Sequence, residues 1–106
     1  MNNTANSNPT DFNTAFATFM VGCEKIYTDY CDRNDFTMRD SFTSTVGNRY
    51  VRVVRGTGVH CFVDKTNGDV LKAAGWKAPA KHARGNIFDS QNGLGSMGEY
   101  GPAYLR

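Results

Sequence analysis

Apolar residues recur at three- and four-residue spacing between Asp11 and Cys31. The members of this stripe are Phe12, Phe16, Phe19, Met20, Cys23, Ile26, Tyr27 and Tyr30. This spacing predicts an amphipathic α-helix, which Thr10 or Asp11 can cap at its start. Gly22, in the middle of the helix, costs about 1 kcal/mol relative to alanine. Its presence predicts a close approach of the sheet to the helix at that point.

The middle of the chain has a strand-like pattern that glycine-containing turns interrupt. The predicted strands are an edge strand within residues 36–46, then Arg49–Arg55, Val59–Asp64 and Asp69–Ala73. Gly47-Asn48 and Asn67-Gly68 are typical of hairpin turns. We therefore expect an α+β fold in which the N-terminal amphipathic helix packs on an antiparallel meander of three or four strands.

Alternation assigns the two faces of this sheet. One face is purely apolar and is expected to contact the helix; it contains Val51, Val53, Val59, Cys61 and Val63. The opposite face mixes aromatic and cationic groups and is expected to be half exposed; it contains Tyr50, Arg52, Val54, His60 and Phe62.

The pattern becomes irregular after Gly75. Trp76–Pro79 is expected to be extended, because a proline disfavours the α region for the residue before it. Ala80–Arg84 is expected to form a short helix that Gly85 ends. Residues 1–10 indicate a disordered lead-in, residues 11–89 a single domain with an irregular basic segment, and residues 90–106 a glycine-rich tail. Whether the tail docks onto the domain stays open.

Length and composition narrow the class of protein. A chain of 106 residues corresponds to one domain. No run of about 18 apolar residues is present, so no membrane helix is predicted. The N-terminus lacks the basic and apolar regions of a signal peptide. The three cysteines show no close pairing motif, which indicates reduced thiols and a cytoplasmic protein.

The net charge of +2 hides an uneven distribution. Residues 1–40 carry three cations and six anions, whereas residues 41–88 carry eight cations and two anions. Two interpretations remain open. The acidic helix neutralises the basic sheet across their boundary, or the cations gather on one outward surface that binds an anionic partner.

Motifs for catalysis and metal binding are weak. Gly93–Gly98 matches G-x-G-x-x-G, but neither a strand before it nor a helix after it is predicted, so we expect a loop. His60, His82 and the cysteines lack the spacing of metal ligands. No serine or cysteine has the context of a nucleophile. We expect no catalytic residue, no metal and no cofactor.

The strongest functional pattern is the interleaving of basic and aromatic residues between positions 49 and 84. Cations neutralise phosphates, and exposed rings stack on bases. Trp76 is either such a stacking platform or a core anchor that ties the basic segment to the sheet. The candidate nucleic-acid-binding residues are Arg49, Arg52, Arg55, Lys72, Trp76, Lys77, Lys81, His82 and Arg84.

The segment Gly68–Asp89, GDVLKAAGWKAPAKHARGNIFD, and the ending YGPAYLR resemble small bacteriophage-encoded proteins of unassigned function. The resemblance implies a phage origin and assigns no activity or site. We expect a non-enzymatic protein in the cytoplasm of an infected bacterium that binds nucleic acid or a nucleotide phosphate. The alternatives are a protein that binds and inhibits a host defence protein, and a minor virion or assembly component. The oligomeric state stays open.

Overall fold

The computed structural model describes residues 11–102. Its elements are α1 (Phe12–Arg33), β1 (Phe42–Val46), β2 (Tyr50–Arg55), β3 (Gly58–Asp64), β4 (Asp69–Ala73), β5 (Pro79–Asn86), β6 (Met97–Gly98) and β7 (Gly101–Pro102). Strands β1 to β5 form one antiparallel sheet in chain order, and β6 pairs with β7. The lead-in predicted for residues 1–10 lies outside the described residues.

The predicted amphipathic helix is confirmed as α1. Asp11 caps it, because its carboxylate accepts hydrogen bonds from the backbone N–H and the hydroxyl of Thr14, at 3.1 and 2.8 Å. These bonds hold the pKa of Asp11 below its ordinary value. In the part of the chain that the structure describes, no helix is long and apolar enough to cross a membrane.

The core lies between α1 and the inner face of the sheet. The helix contributes Ala15, Phe19 and Cys23, and the rest of the buried cluster is Val53, Cys61, Val63, Val70 and Ile87. Full burial of a side chain of the size of Val, Ile or Phe stabilises the fold by about 1.5–3 kcal/mol. The three cysteines are free and buried, so they act as small apolar groups of the core.

The main sheet has five strands, so the prediction of three or four was too low. The additional strand is β5, which replaces the short helix predicted for Ala80–Arg84. A five-residue helix is hard to nucleate, whereas the free edge of β4 offers a hydrogen-bonded ladder. Asp69 pairs with Asn86 and Val70 with Gly85, and the register then shifts twice before the last pair, Ala73 with Pro79.

A β-bulge in β3 overturns part of the predicted assignment of faces. Val53 pairs with Cys61, but Val54 pairs with Val59, so His60 is the extra residue. The bulge turns the buried His60 ring inward, to 5.0 Å from the ring of Phe42. Val59, predicted to face the helix, instead shares the outer face with Val54.

Residues 87–102 pack on the domain, so the described part of the predicted tail docks. The side-chain amide of Asn92 donates to the carbonyl of Ala15 in α1, at 3.2 Å. The hydroxyls of Tyr30 and Tyr100 are hydrogen-bonded at 2.9 Å. These contacts connect the segment to both halves of the helix.

The sequence predicted that Gly22 makes room for the sheet. In the structure, Gly22 instead makes room for residues 87–102. A Cβ atom at Gly22 would overlap Cδ1 of Leu94, and Cγ and Cδ2 of Leu94 would each lie 3.2 Å from it. Leu94 is partly buried against the core cluster. The helix therefore carries a glycine where a side chain from residues 87–102 seats on it.

Candidate nucleic-acid interface

The outer face of the sheet, which points away from α1, carries Arg52 at its centre. Arg52 is paired with Phe62 of β3 and with Thr45 of β1. Its Nε donates to the carbonyl of Trp76 at 2.8 Å. Its guanidinium lies 4.7 Å from the centroid of the Trp76 ring. Arg52 thereby holds the β4–β5 connection, residues 74–78, over the outer face.

Trp76 is not a core anchor. Its relative exposure is 50%, and its described ring contact is the cation–π contact with Arg52. A guanidinium stacked on an indole contributes about 0.5–1 kcal/mol at an exposed site. The contact therefore orients the ring while half of its surface remains open to a ligand.

An open hollow of about 200 Å³ lies beside Arg52. Lys77 borders it from the β4–β5 connection, and Arg49 and Tyr50 border it from the start of β2. The buried ring of Phe62 packs edge-on against Tyr50, with 6.1 Å between centroids. We call Arg49, Tyr50, Arg52, Phe62, Trp76 and Lys77 the outer-face patch.

Arg49 belongs to this patch but shares its charge with Asp64. Its Nε donates to Oδ2 of Asp64 at 3.0 Å, while 62% of the Arg49 side chain stays exposed. Burial by itself raises the pKa of the Asp64 carboxyl. Hydrogen bonds from Thr66 and Arg49 outweigh that effect, so the pKa lies below its ordinary value. Asp64 is therefore ionised at neutral pH and partly neutralises Arg49.

Lys81 lies next to the patch. It lines a second hollow, of about 360 Å³, that also contacts Arg49 and Tyr50. Asp64 and Asp69 line the same hollow, so its charge is mixed. Lys81 can extend the patch along β5. Only the first hollow has cations and no carboxylate in its described lining.

Two predicted site residues, Arg55 and Lys72, lie elsewhere. Arg55 forms an ion pair with Asp40, and its guanidinium lies 4.8 Å from the Tyr27 ring centroid, on the helix side of the sheet. The ammonium of Lys72 donates to the carbonyl of Pro102 at 2.9 Å. Both cations thus hold parts of the protein together.

His82 and Arg84 also lie outside the patch. Nη1 of Arg84 donates to the carbonyl of His82 at 2.8 Å. The hydroxyl of Ser96 donates to the carbonyl of Arg84, which attaches residues 87–102 to β5. His82 is exposed on this edge strand, and neither side chain borders the hollow beside Arg52.

The distribution of ion pairs tests the first of the two interpretations of the uneven charge, neutralisation of the sheet by the helix. Among residues 11–102 the ion pairs are Lys25–Asp29, Arg39–Asp32, Arg49–Asp64 and Arg55–Asp40. None joins a carboxylate of α1 to a cation of the sheet. Within the same range, Arg52, Lys77 and Lys81 pair with no carboxylate. The helix therefore does not neutralise the outer face.

Sequence reasoning missed part of the lining of the hollow. Thr45, Gly47 and Asn48 border it, whereas the sequence predicted only the end of a strand and a turn there. Tyr50 and Phe62 belong to the interleaved basic and aromatic pattern but were not among the candidate binding residues. The available signal was that the turn precedes Arg49 directly. Among the residues that the structure covers, no three metal-ligating side chains converge.

Comparison with known proteins identifies a family but no better-characterised relative. No curated protein and no solved structure matches the chain. One family matches residues 2–100, a range that includes α1, the whole sheet and the outer-face patch. The chain therefore belongs to the family described as Family of unknown function (DUF7717).

Proposed function

We propose that this protein is a small phage-encoded, non-enzymatic binding protein that binds nucleic acid, or a nucleotide phosphate, through the outer-face patch. The observation that carries the proposal is the position of Arg52 and Lys77. Both border one hollow, neither pairs with a carboxylate within residues 11–102, and the half-exposed Trp76 lies beside them.

The chemistry of the patch fits a nucleotide with an unpaired base. Guanidinium and ammonium groups neutralise phosphate, and the hollow between Arg52 and Lys77 can receive one such group. A base stacked on an aromatic side chain contributes about 1–3 kcal/mol. Stacking on Trp76 requires a base whose face is free, which favours single strands over an intact duplex.

The phage origin and the cytoplasmic location are parts of this proposal. The resemblance of Gly68–Asp89 to small bacteriophage-encoded proteins supports the first. The three free, buried thiols support a reducing compartment. Both expectations agree with a protein that meets nucleic acid inside an infected bacterium.

Trp76 is the only tryptophan of the chain, so its fluorescence reports on the patch directly. Titration with a single-stranded oligonucleotide at low salt should quench this fluorescence as the base stacks. With three contacts, from Arg49, Arg52 and Lys77, the logarithm of the binding constant should fall with the logarithm of salt with a slope of about −2. No binding at low salt would refute the proposal.

Two substitutions distinguish binding through the outer-face patch from a nonspecific effect of the net charge. Lys77→Gln should weaken binding and reduce the salt slope by about 0.7, because one phosphate contact is lost. The control, Lys25→Gln, removes one charge from α1, where Lys25 is paired with Asp29, and should leave both quantities nearly unchanged. Equal effects of the two substitutions would show that binding does not use the patch.

The other two roles considered for the chain use different partners and are distinguished by a pull-down from host lysate. A host protein that is retained after nuclease treatment would favour inhibition of a host protein. Retention that nuclease abolishes would favour nucleic-acid binding. Incorporation into purified virions would favour a structural role.

A further inference from the structure

The two edges of the main sheet differ in how they are protected against pairing with another strand. Natural edge strands carry charges, prolines or bulges that discourage such pairing. At one edge, β5 contains Pro79 and Lys81, and its register with β4 shifts twice. At the other edge, β1 lies in residues 41–48, which contain neither a charge nor a proline. Its five pairs with β2 are regular.

The direction of the backbone groups of β1 follows from its two ends. The carbonyl of Ser41 accepts from the N–H of Gly56 at 2.8 Å, and the N–H of Gly47 donates to the carbonyl of Tyr50 at 2.9 Å. Antiparallel ladders bond through every second residue. The backbone groups of positions 43 and 45 therefore point towards β2, and those of positions 42, 44 and 46 point away from it.

We propose that β1 pairs in antiparallel fashion with β1 of a second copy of this chain, about a two-fold axis at Ser44. In this register the outward groups of positions 42, 44 and 46 meet their counterparts and form about six backbone hydrogen bonds. Phe42 lies opposite Val46 of the second copy, and Thr43 lies opposite Thr45. Val46, which is 68% exposed, thereby gains an apolar neighbour.

The chemistry of this edge favours a second copy as its occupant. The register sets apolar against apolar side chains and hydroxyl against hydroxyl, so the strand is complementary to itself. An isologous contact of this kind closes with two chains.

The pairing has a consequence for the outer face, although it does not depend on the proposed function. A two-fold axis that relates neighbouring antiparallel strands is perpendicular to the sheet, so both outer faces lie on the same side. The hollow beside Arg52 is bordered by Thr45 of β1 and by Gly47 and Asn48 in the turn that follows it. The dimer therefore presents two hollows on one surface.

The oligomeric state tests the pairing directly. Sedimentation equilibrium at protein concentrations up to about 1 mM, where even a weak complex is populated, should show twice the monomer mass of 11.7 kDa. Ser44→Pro removes an outward N–H and leaves the β1–β2 ladder intact, because proline is tolerated where its nitrogen faces away from the ladder. It should abolish the dimer, and the matched control Ser44→Ala should retain it.

A second variant keeps the test decisive if Ser44→Pro misfolds, which circular dichroism would reveal. Val46→Lys places a charge opposite Phe42 of the second copy and should also give a monomer, without a change to the backbone. A wild-type chain that stays monomeric at every concentration would overturn the proposal. So would folded Ser44→Pro and Val46→Lys variants that both dimerise as tightly as the wild type.

Discussion

The contact between Gly22 and Leu94 predicts that the effect of Gly22→Ala on stability has opposite signs in the wild-type chain and in a Leu94→Ala background. Replacing glycine by alanine in a helix interior normally stabilises a protein by about 1 kcal/mol. Here the added Cβ would overlap Cδ1 of Leu94. Rotation about the Cβ–Cγ bond of Leu94 moves both Cδ atoms, but it leaves Cγ 3.2 Å from the same position, so this rotation alone does not clear the site. The steric conflict therefore opposes the gain in helix propensity.

The magnitudes decide the sign. Overpacking of a well-packed core costs about 1–3 kcal/mol, so Gly22→Ala should destabilise the wild-type chain by about 1 kcal/mol after the gain is subtracted. In a Leu94→Ala background the conflict disappears, and the same substitution should stabilise the protein by about 1 kcal/mol. The coupling free energy between the two positions is then about 2 kcal/mol, within the range measured for residues in contact.

Thermal and urea unfolding of the four chains, followed by circular dichroism, measures this cycle. A change of 1 kcal/mol shifts the melting temperature by roughly 4–8 °C in a domain of this size. Val21→Ala is the matched control, because Val21 is 65% exposed on the adjacent position of α1, and its effect should add to that of Leu94→Ala. Equal stabilisation by Gly22→Ala in both backgrounds would show that Leu94 does not seat on the helix.

Two further predictions follow from buried titratable groups. Burial, with Arg55 and Lys72 nearby, lowers the pKa of His60 to about 4, whereas the unfolded chain binds this proton near pH 6.5. The free energy of unfolding, measured in urea, should therefore fall by up to about 3 kcal/mol as the pH drops from about 6.5 to about 4. In the His60→Phe variant, the free energy of unfolding should depend less on pH in this range. Identical pH profiles for the two proteins would contradict this. Burial also raises the pKa of Cys61, and that of Cys23 to about 12. Thiol reagents should react with them only when denaturant is added, and rapid reaction in native buffer would be inconsistent with this core.

The parts of the fold that were predicted correctly depend on contacts between near neighbours in sequence. The stripe from Phe12 to Tyr30 predicted α1 because residues three and four apart share a helix face. The Asn67-Gly68 signal predicted the β3–β4 turn, where Gly68 has a φ of +85°, because few other residues adopt such an angle. The strand Asp69–Ala73 was predicted with the bounds that the structure has.

The parts that were missed depend on pairing between distant residues. Most of β5 was predicted to be a short helix over Ala80–Arg84, since Pro79 and Gly85 are typical of helix ends, and only the ladder with β4 makes it a strand. The bulge at His60 is invisible in a regular alternation, because one extra residue reverses every face assignment beyond it. A pattern along the chain contains no information about such a change of register.

The same distinction between local and long-range information applies to the candidate site. The excess of cations interleaved with aromatic rings in residues 49–84 could be predicted from the order of the residues alone. The fold was needed to show that Arg52 and Lys77 border one hollow beside Trp76, while Arg55 and Lys72 contact other parts of the protein. The physical reason is distance along the chain: Arg52 binds the carbonyl of Trp76 across 24 positions, and Lys72 binds that of Pro102 across 30.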